Sequence, residues 1–179
     1  VQFFVLSLGL LLAACASGPP LSLAKSVDIQ RYSGDWYIIA EIPYVGERGN
    51  VGSTVKYTPL PNGHVLDEYF AHQHDFAAPI THASFDDYVV DGTGNALWRV
   101  RLFWPIFVSY PILDVDAAYT TALVGYPDRS LGWIFSRSAD MTDADYQAQL
   151  TKFAAQGYDP TAFRRVPQHP DQIGKAGFE

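Results

Sequence analysis

Apolar and polar residues alternate cleanly at Leu97–Leu102, where Trp98, Val100 and Leu102 share one face and Arg99 and Arg101 the other. A side-chain period of two over such a stretch predicts a half-buried β-strand. Short apolar-rich segments recur at 34–43, 53–59, 64–72, 80–91, 96–104, 109–116, 119–126 and 131–137. The gaps carry turn chemistry, as in Pro61-Asn62-Gly63, Asp91-Gly92-Thr93-Gly94-Asn95 and Pro127-Asp128-Arg129-Ser130. Eight short, evenly spaced strands predict an all-β antiparallel barrel or sandwich.

The period then changes. Tyr146, Leu150, Phe153 and Ala154 fall at helical spacing, with Thr142 and Asp145 placed as a capping box and Gly157 as a stop. One amphipathic helix over about 142–156 is expected to pack outside the sheet. Phe163–Val166 reads as a last short extended segment, and the polar tail 167–179 as loose.

The first segment is different again. Phe3–Ala14 is apolar except for Ser7 and Gly9, too short for a membrane span of about 20 residues and suited to a secretory signal. It ends Leu12-Ala13-Ala14-Cys15, which resembles a bacterial lipobox. That resemblance implies cleavage after residue 14, lipidation of Cys15 and a tether over 15–27 containing Pro19-Pro20. Ala16 after the cysteine, by analogy with Gram-negative lipoproteins, implies the outer membrane.

Composition narrows the function classes. The chain has 179 residues, one Cys, 19 acidic against 12 basic residues and 15% aromatics. One domain is expected, with no second domain and no long repeat. The negative balance argues against nucleic-acid binding, which needs basic phosphate partners. A single cysteine leaves no disulfide framework and no multi-cysteine metal cluster within this sequence.

Several motifs carry a family resemblance. Gly34-Asp35-Trp36-Tyr37 follows Asp28-Ile29-Gln30-Arg31-Tyr32, and Glu47-Arg48-Gly49 comes after it. Further on come Asp114-Val115-Asp116 with Tyr119-Thr120-Thr121-Ala122-Leu123-Val124, then Trp133-Ile134-Phe135-Ser136-Arg137. In this order they resemble the three signatures of the lipocalins, in particular a bacterial outer-membrane branch that resembles apolipoprotein D. The likeness spans 28–166. It implies an eight-stranded antiparallel up-and-down β-barrel with one C-terminal α-helix outside, binding a small hydrophobic ligand such as a fatty acid or lysophospholipid. One departure is Ile38-Ile39, where the family often has Glu-Ile.

The resemblance makes Gly34, Trp36 and Arg137 structural residues of the barrel floor, with Arg137 lying over Trp36. Strand parity nominates Phe70, Phe85, Tyr88, Trp98, Val100, Leu102, Trp104, Tyr110 and Ile112 as ligand-binding residues. The apolar run Phe103–Val108 reads as a mouth loop that touches lipid or permits a homodimer.

Other chemistry finds weaker footing. His72 and His74 share a strand face, with His64 and His82 nearby in sequence, but a full metal-ligand set is not identifiable, and no metal or cofactor is expected. No Gly-x-Ser-x-Gly elbow is present, Asp86-Asp87 and Asp114/Asp116 read as strand-end solvation, and no catalytic residue is assigned. The expected function is therefore a lipid-anchored carrier in the outer membrane. The alternatives are an enzyme of the same fold acting on a lipophilic substrate, and an envelope scaffold whose barrel is filled by its own side chains.

Overall fold

The computed structural model describes residues 19–179. The expected signal and Cys15 lie outside the described residues. Eight antiparallel strands follow in order: β1 Gly34–Glu41, β2 Asn50–Pro59, β3 Val65–Gln73, β4 Ile80–Val89, β5 Leu97–Phe103, β6 Ile106–Val115, β7 Thr121–Gly125 and β8 Gly132–Ser136. Each pairs with the next, and β1 pairs with both β2 and β8, so the sheet closes into a barrel. Closure leaves the eight strands without the free edges that invite aggregation. A two-residue strand, β9 Arg164–Arg165, adds on to Ala40–Glu41 of β1 where that strand extends past the barrel.

A short helix, α1 Ile29–Tyr32, precedes β1. Asp28 caps it, its Oδ1 accepting from the N–H groups of Gln30 and Arg31. The outer helix, α2 Asp143–Ala155, is capped by the Thr142 hydroxyl, which accepts from the Asp145 N–H at 3.1 Å. Tyr146, Leu150 and Phe153 of α2 pack with Ile39, Leu113, Leu123 and Ile134 on the barrel's outer wall. A second apolar cluster lies inside the barrel, around Tyr32, Trp36, Tyr57, Trp98 and Phe135. The barrel thus has apolar surface on both sides where α2 covers it.

Three local expectations change. First, Phe103–Val108 is not a loop: β5 and β6 run on through it, leaving only Trp104-Pro105 as the turn. Strand pairing there outcompetes the turn tendency of proline, which sits at the tip where it owes no ladder hydrogen bond. Second, the tail is held. Gln168 donates to the carbonyls of Ile38 and Ser53, and Glu179 Oε1 accepts from the Gly49 N–H. Third, the expected tether docks before residue 27. The Ala24 N–H donates to Ile112 O, the Val27 N–H to Gly94 O, and Val27 is buried. Gly94 has a φ of +62°, and a Cβ there would stand 2.4 Å from the Lys25 carbonyl oxygen, so the strap needs that glycine.

Candidate functional site

The closed end is an aromatic plug. Tyr32, at the end of α1, stacks at 5.2–5.5 Å between ring centroids on Trp36, Tyr57 and Trp98, all fully buried. The Trp36 indole N–H donates to Tyr32 O at 2.7 Å. Arg137, just beyond β8, lays its guanidinium 3.6 Å from the Trp36 ring centroid. The same guanidinium donates to the carbonyls of Arg31, Tyr32 and Ser33 at 2.8–3.0 Å, and to Asp35 O. It therefore satisfies the open carbonyls at the C-terminus of α1 while sealing the barrel from outside. Gly34 takes a φ of +91° to turn the chain from α1 into β1 beneath it.

Above the plug lies a cavity of about 470 Å³ that opens at the opposite end. This volume falls in the range of small-molecule sites, ~300–1,000 Å³. Ile38, Val55, Phe85, Val100, Leu102, Val108 and Phe135 supply its apolar wall. Tyr57 and Tyr110 meet hydroxyl to hydroxyl at 2.6 Å near its base. Asn50 and Ser53 hold the Tyr69 hydroxyl at 2.9 and 3.2 Å.

Of the nine residues nominated from parity, Phe85, Val100, Leu102 and Tyr110 line this cavity. Trp98 and Ile112 share the inward face but are wholly buried lower down, Trp98 within the plug. Trp104 is 79% exposed at the turn of the β5–β6 hairpin. Phe70 and Tyr88 stand on the outer face: Phe70 stacks on His82, and Tyr88 packs on His64 and accepts from Arg101. Both strands carry apolar side chains on each face, so parity alone does not tell inside from outside there. The four histidines do not converge: His72 bonds Ala78 O, His64 pairs with Asp86 and His82 with Glu68. Among the described residues no group of three or more His, Cys, Asp or Glu is placed to hold a metal ion.

The acidic residues are the surprise. Asp86 does sit outside, paired with Arg101 and His64, but Asp87 is 0% exposed. Neither Asp87 carboxyl oxygen has a partner. Burial, then the neighbouring charges of Asp67 and Asp86, pushes its pKa up to about 9. Asp67 projects into the cavity from β3, 7% exposed, with Oδ1 unpartnered. Burial, then Glu47 and Glu68, raises its pKa to about 7. At the mouth, Glu41 and Glu47 are buried beside the Glu179 side chain. Burial, with the neighbouring carboxyls, raises both above the ordinary carboxylate range. Glu47 also accepts from the Trp133 indole N–H at 2.8 Å, pinning the β1–β2 loop against the barrel. The sequence hints at this loop only through the resemblance of Glu47-Arg48-Gly49 to the bacterial lipocalin pattern; nothing in it pairs Glu47 with Trp133.

Comparison with known proteins agrees with this architecture. Residues 27–168 match the lipocalin-like domain model, and the chain belongs to the lipocalin family. It is 30% identical over 159 residues to temperature-induced lipocalin-1 of Arabidopsis thaliana, covering 83% of each chain. It is 28% identical over 163 residues to the outer membrane lipoprotein Blc of Escherichia coli K12, covering 88% of this chain and 90% of that one. Among solved structures, insecticyanin from the tobacco hornworm Manduca sexta superposes with a TM-score of 0.67 at 12% identity, over 90% of this chain and 91% of that one. Lobster apocrustacyanin A1 does so at 0.59 and 18% identity, over 85% and 91%. No helix among the described residues is long and apolar enough to cross a membrane.

Proposed function

We propose that the protein is a lipid-anchored lipocalin of the outer membrane that holds an apolar small molecule, of the fatty acid or lysophospholipid kind, in its barrel. The observation that carries the binding reading is the 470 Å³ cavity walled by aliphatic and aromatic side chains above a sealed floor. Each CH₂ moved from water into such a wall contributes about 0.8 kcal/mol before ordering costs. An acyl chain of ordinary length therefore reaches useful affinity by partition alone, with no covalent step. The open volume argues against a scaffold filled by its own side chains.

The anchor reading rests on the Ala14-Cys15 junction and on the similarity to proteins named outer membrane lipoproteins. One acyl chain binds a membrane marginally and several bind it firmly, so a multiply acylated Cys15 would hold the barrel at the surface. Phe103, Trp104 and Ile106, exposed at the hairpin tip, are placed to touch lipid or a second copy of the chain.

Two experiments test the reading. Solvent extraction of the purified protein followed by lipid mass spectrometry is expected to find a stoichiometric amphiphile; protein free of lipid that also fails to take up acyl probes would refute it. Release of a chemically altered lipid would point instead to an enzyme. Labelling with radioactive palmitate should mark the protein and be abolished by Cys15→Ser; labelling that survives the change would refute the anchor.

A further inference from the structure

We propose that the cavity selects an amphiphile whose head carries a protonated amine, held by the Asp67 carboxylate, over one whose head is a carboxylate. The inference rests on the binding reading above and concerns which head group the same site prefers.

The geometry is specific. Asp67 lies on the inward face of β3, paired across the ladder with Phe85, so its carboxyl stands beside the apolar wall that would receive a chain. The residue is more than nine-tenths buried, and its Oδ1 has no hydrogen-bond partner among the described residues. A carboxyl with a buried, unpartnered oxygen is costly to ionise, and a cation against the part of the side chain that lines the cavity would offset that cost. The titratable groups around it are acids and phenols. Glu47 of the β1–β2 loop and Asp87 on the inward face of β4 act on Asp67 from inside the barrel, and Glu68, next in its own strand but on the outward face, acts from behind it. Tyr32 of α1, Tyr57 of β2, Tyr69 of β3 and Tyr110 of β6 are further titratable neighbours, and none supplies positive charge. Among the described residues no Lys or Arg lines the cavity; His82 borders it, its ring stacked on Phe70 and its Nε2 paired with Glu68. A carboxylate head would enter a site already crowded with carboxyls, whereas an ammonium would relieve the crowding.

The same chemistry fixes a sign. Asp67 holds its proton to about pH 7, so below that an ammonium binds by displacing the proton. Binding of the amine therefore releases protons below about pH 7 and tightens as pH rises from about 5 to about 8. A carboxylate ligand would take up protons and tighten in the opposite direction.

The test is a calorimetric titration of the full chain with decylamine, decanol and decanoate, below their aggregation concentrations. The amine is expected to bind about tenfold or more tighter than the alcohol, as for a charge-assisted hydrogen bond, with decanoate weakest. Buffers of different ionisation enthalpy should report proton release on amine binding to the unaltered protein, a readout that needs no variant. Asp67→Asn should bring decylamine to the level of decanol and leave decanol unchanged. Equal affinities, tightest binding of decanoate, or an Asp67→Asn protein that keeps the amine preference would overturn the inference while leaving the cavity reading intact. Failure of all three to bind would instead overturn the cavity reading.

Discussion

Replacing Arg137 by methionine keeps the aliphatic stem over Trp36 and deletes the guanidinium. Two contributions are lost. The cation–π contact at 3.6 Å is worth about 1–2 kcal/mol when desolvated. The hydrogen bonds to the carbonyls of Arg31, Tyr32, Ser33 and Asp35 involve a charged donor, at about 1.5–3 kcal/mol each for buried cases. Some of these bonds are exposed, and water replaces them cheaply, so the four together are discounted to about 2 kcal/mol. The expected total is about 3–4 kcal/mol. For a chain of this size each kcal/mol lowers the melting temperature by about 2–4 °C, which gives a fall on the order of 10 °C. Urea unfolding followed by tryptophan fluorescence would measure it, because Trp36 and Trp98 report on the plug itself. Ligand affinity at the other end of the barrel should change little. A loss below about 1 kcal/mol, with the midpoint unmoved, would refute the assignment of Arg137 as the floor seal.

Stability should also depend on pH in a set direction. Asp67 and Asp87 keep their protons in the fold to about 7 and about 9, whereas the unfolded chain loses them near 3.8. Between those limits the folded state binds more protons, so stability is full below the unfolded value and falls as pH rises through the folded ones. For Asp67 the change is about 4 kcal/mol. Melting temperatures are expected to be higher at about pH 5 than at about pH 8, and Asp87→Asn should flatten the slope; a protein more stable at the alkaline end would contradict the burial of these carboxyls. Trp133→Phe removes the indole donor to Glu47 and should cost about 1–2 kcal/mol. It should also speed tryptic cleavage at the exposed Arg48 in the same loop; an unaltered cleavage rate would mean that Glu47 does not hold the loop.

The strands and the outer helix were legible because each has its own local signal, whereas the Trp36–Arg137 contact was anticipated only through the family resemblance. The local signals are period two between turn residues for the strands and period near four after a capping threonine for the helix. The polar interior was not legible. On β3 the inward set is Val65, Asp67, Tyr69 and Ala71, and the outward set is Leu66, Glu68, Phe70 and His72. Each face has one acid and several apolar or aromatic residues, so hydrophobicity does not choose between them. Asp87 follows the same logic: beside Asp86 it reads as solvated, yet strand alternation sends one of any adjacent pair inward. The tail was illegible for another reason. Gln168 and Glu179 dock by hydrogen bonds to backbone groups far away in sequence, and such contacts leave no periodic trace.

The central claim is that a chain enters the barrel above the aromatic plug. It is tested most directly by filling that space. Ala83 and Val108 face the cavity from β4 and β6, and a tryptophan at either position would take up much of its volume. Calorimetric titration of decanol into the unaltered protein and into Ala83→Trp and Val108→Trp, each checked for folding by circular dichroism, gives the answer. The account predicts binding of one molecule to the unaltered protein and at least a tenfold loss, about 1.4 kcal/mol, in both folded variants. Undiminished binding in both would place the ligand elsewhere and contradict it.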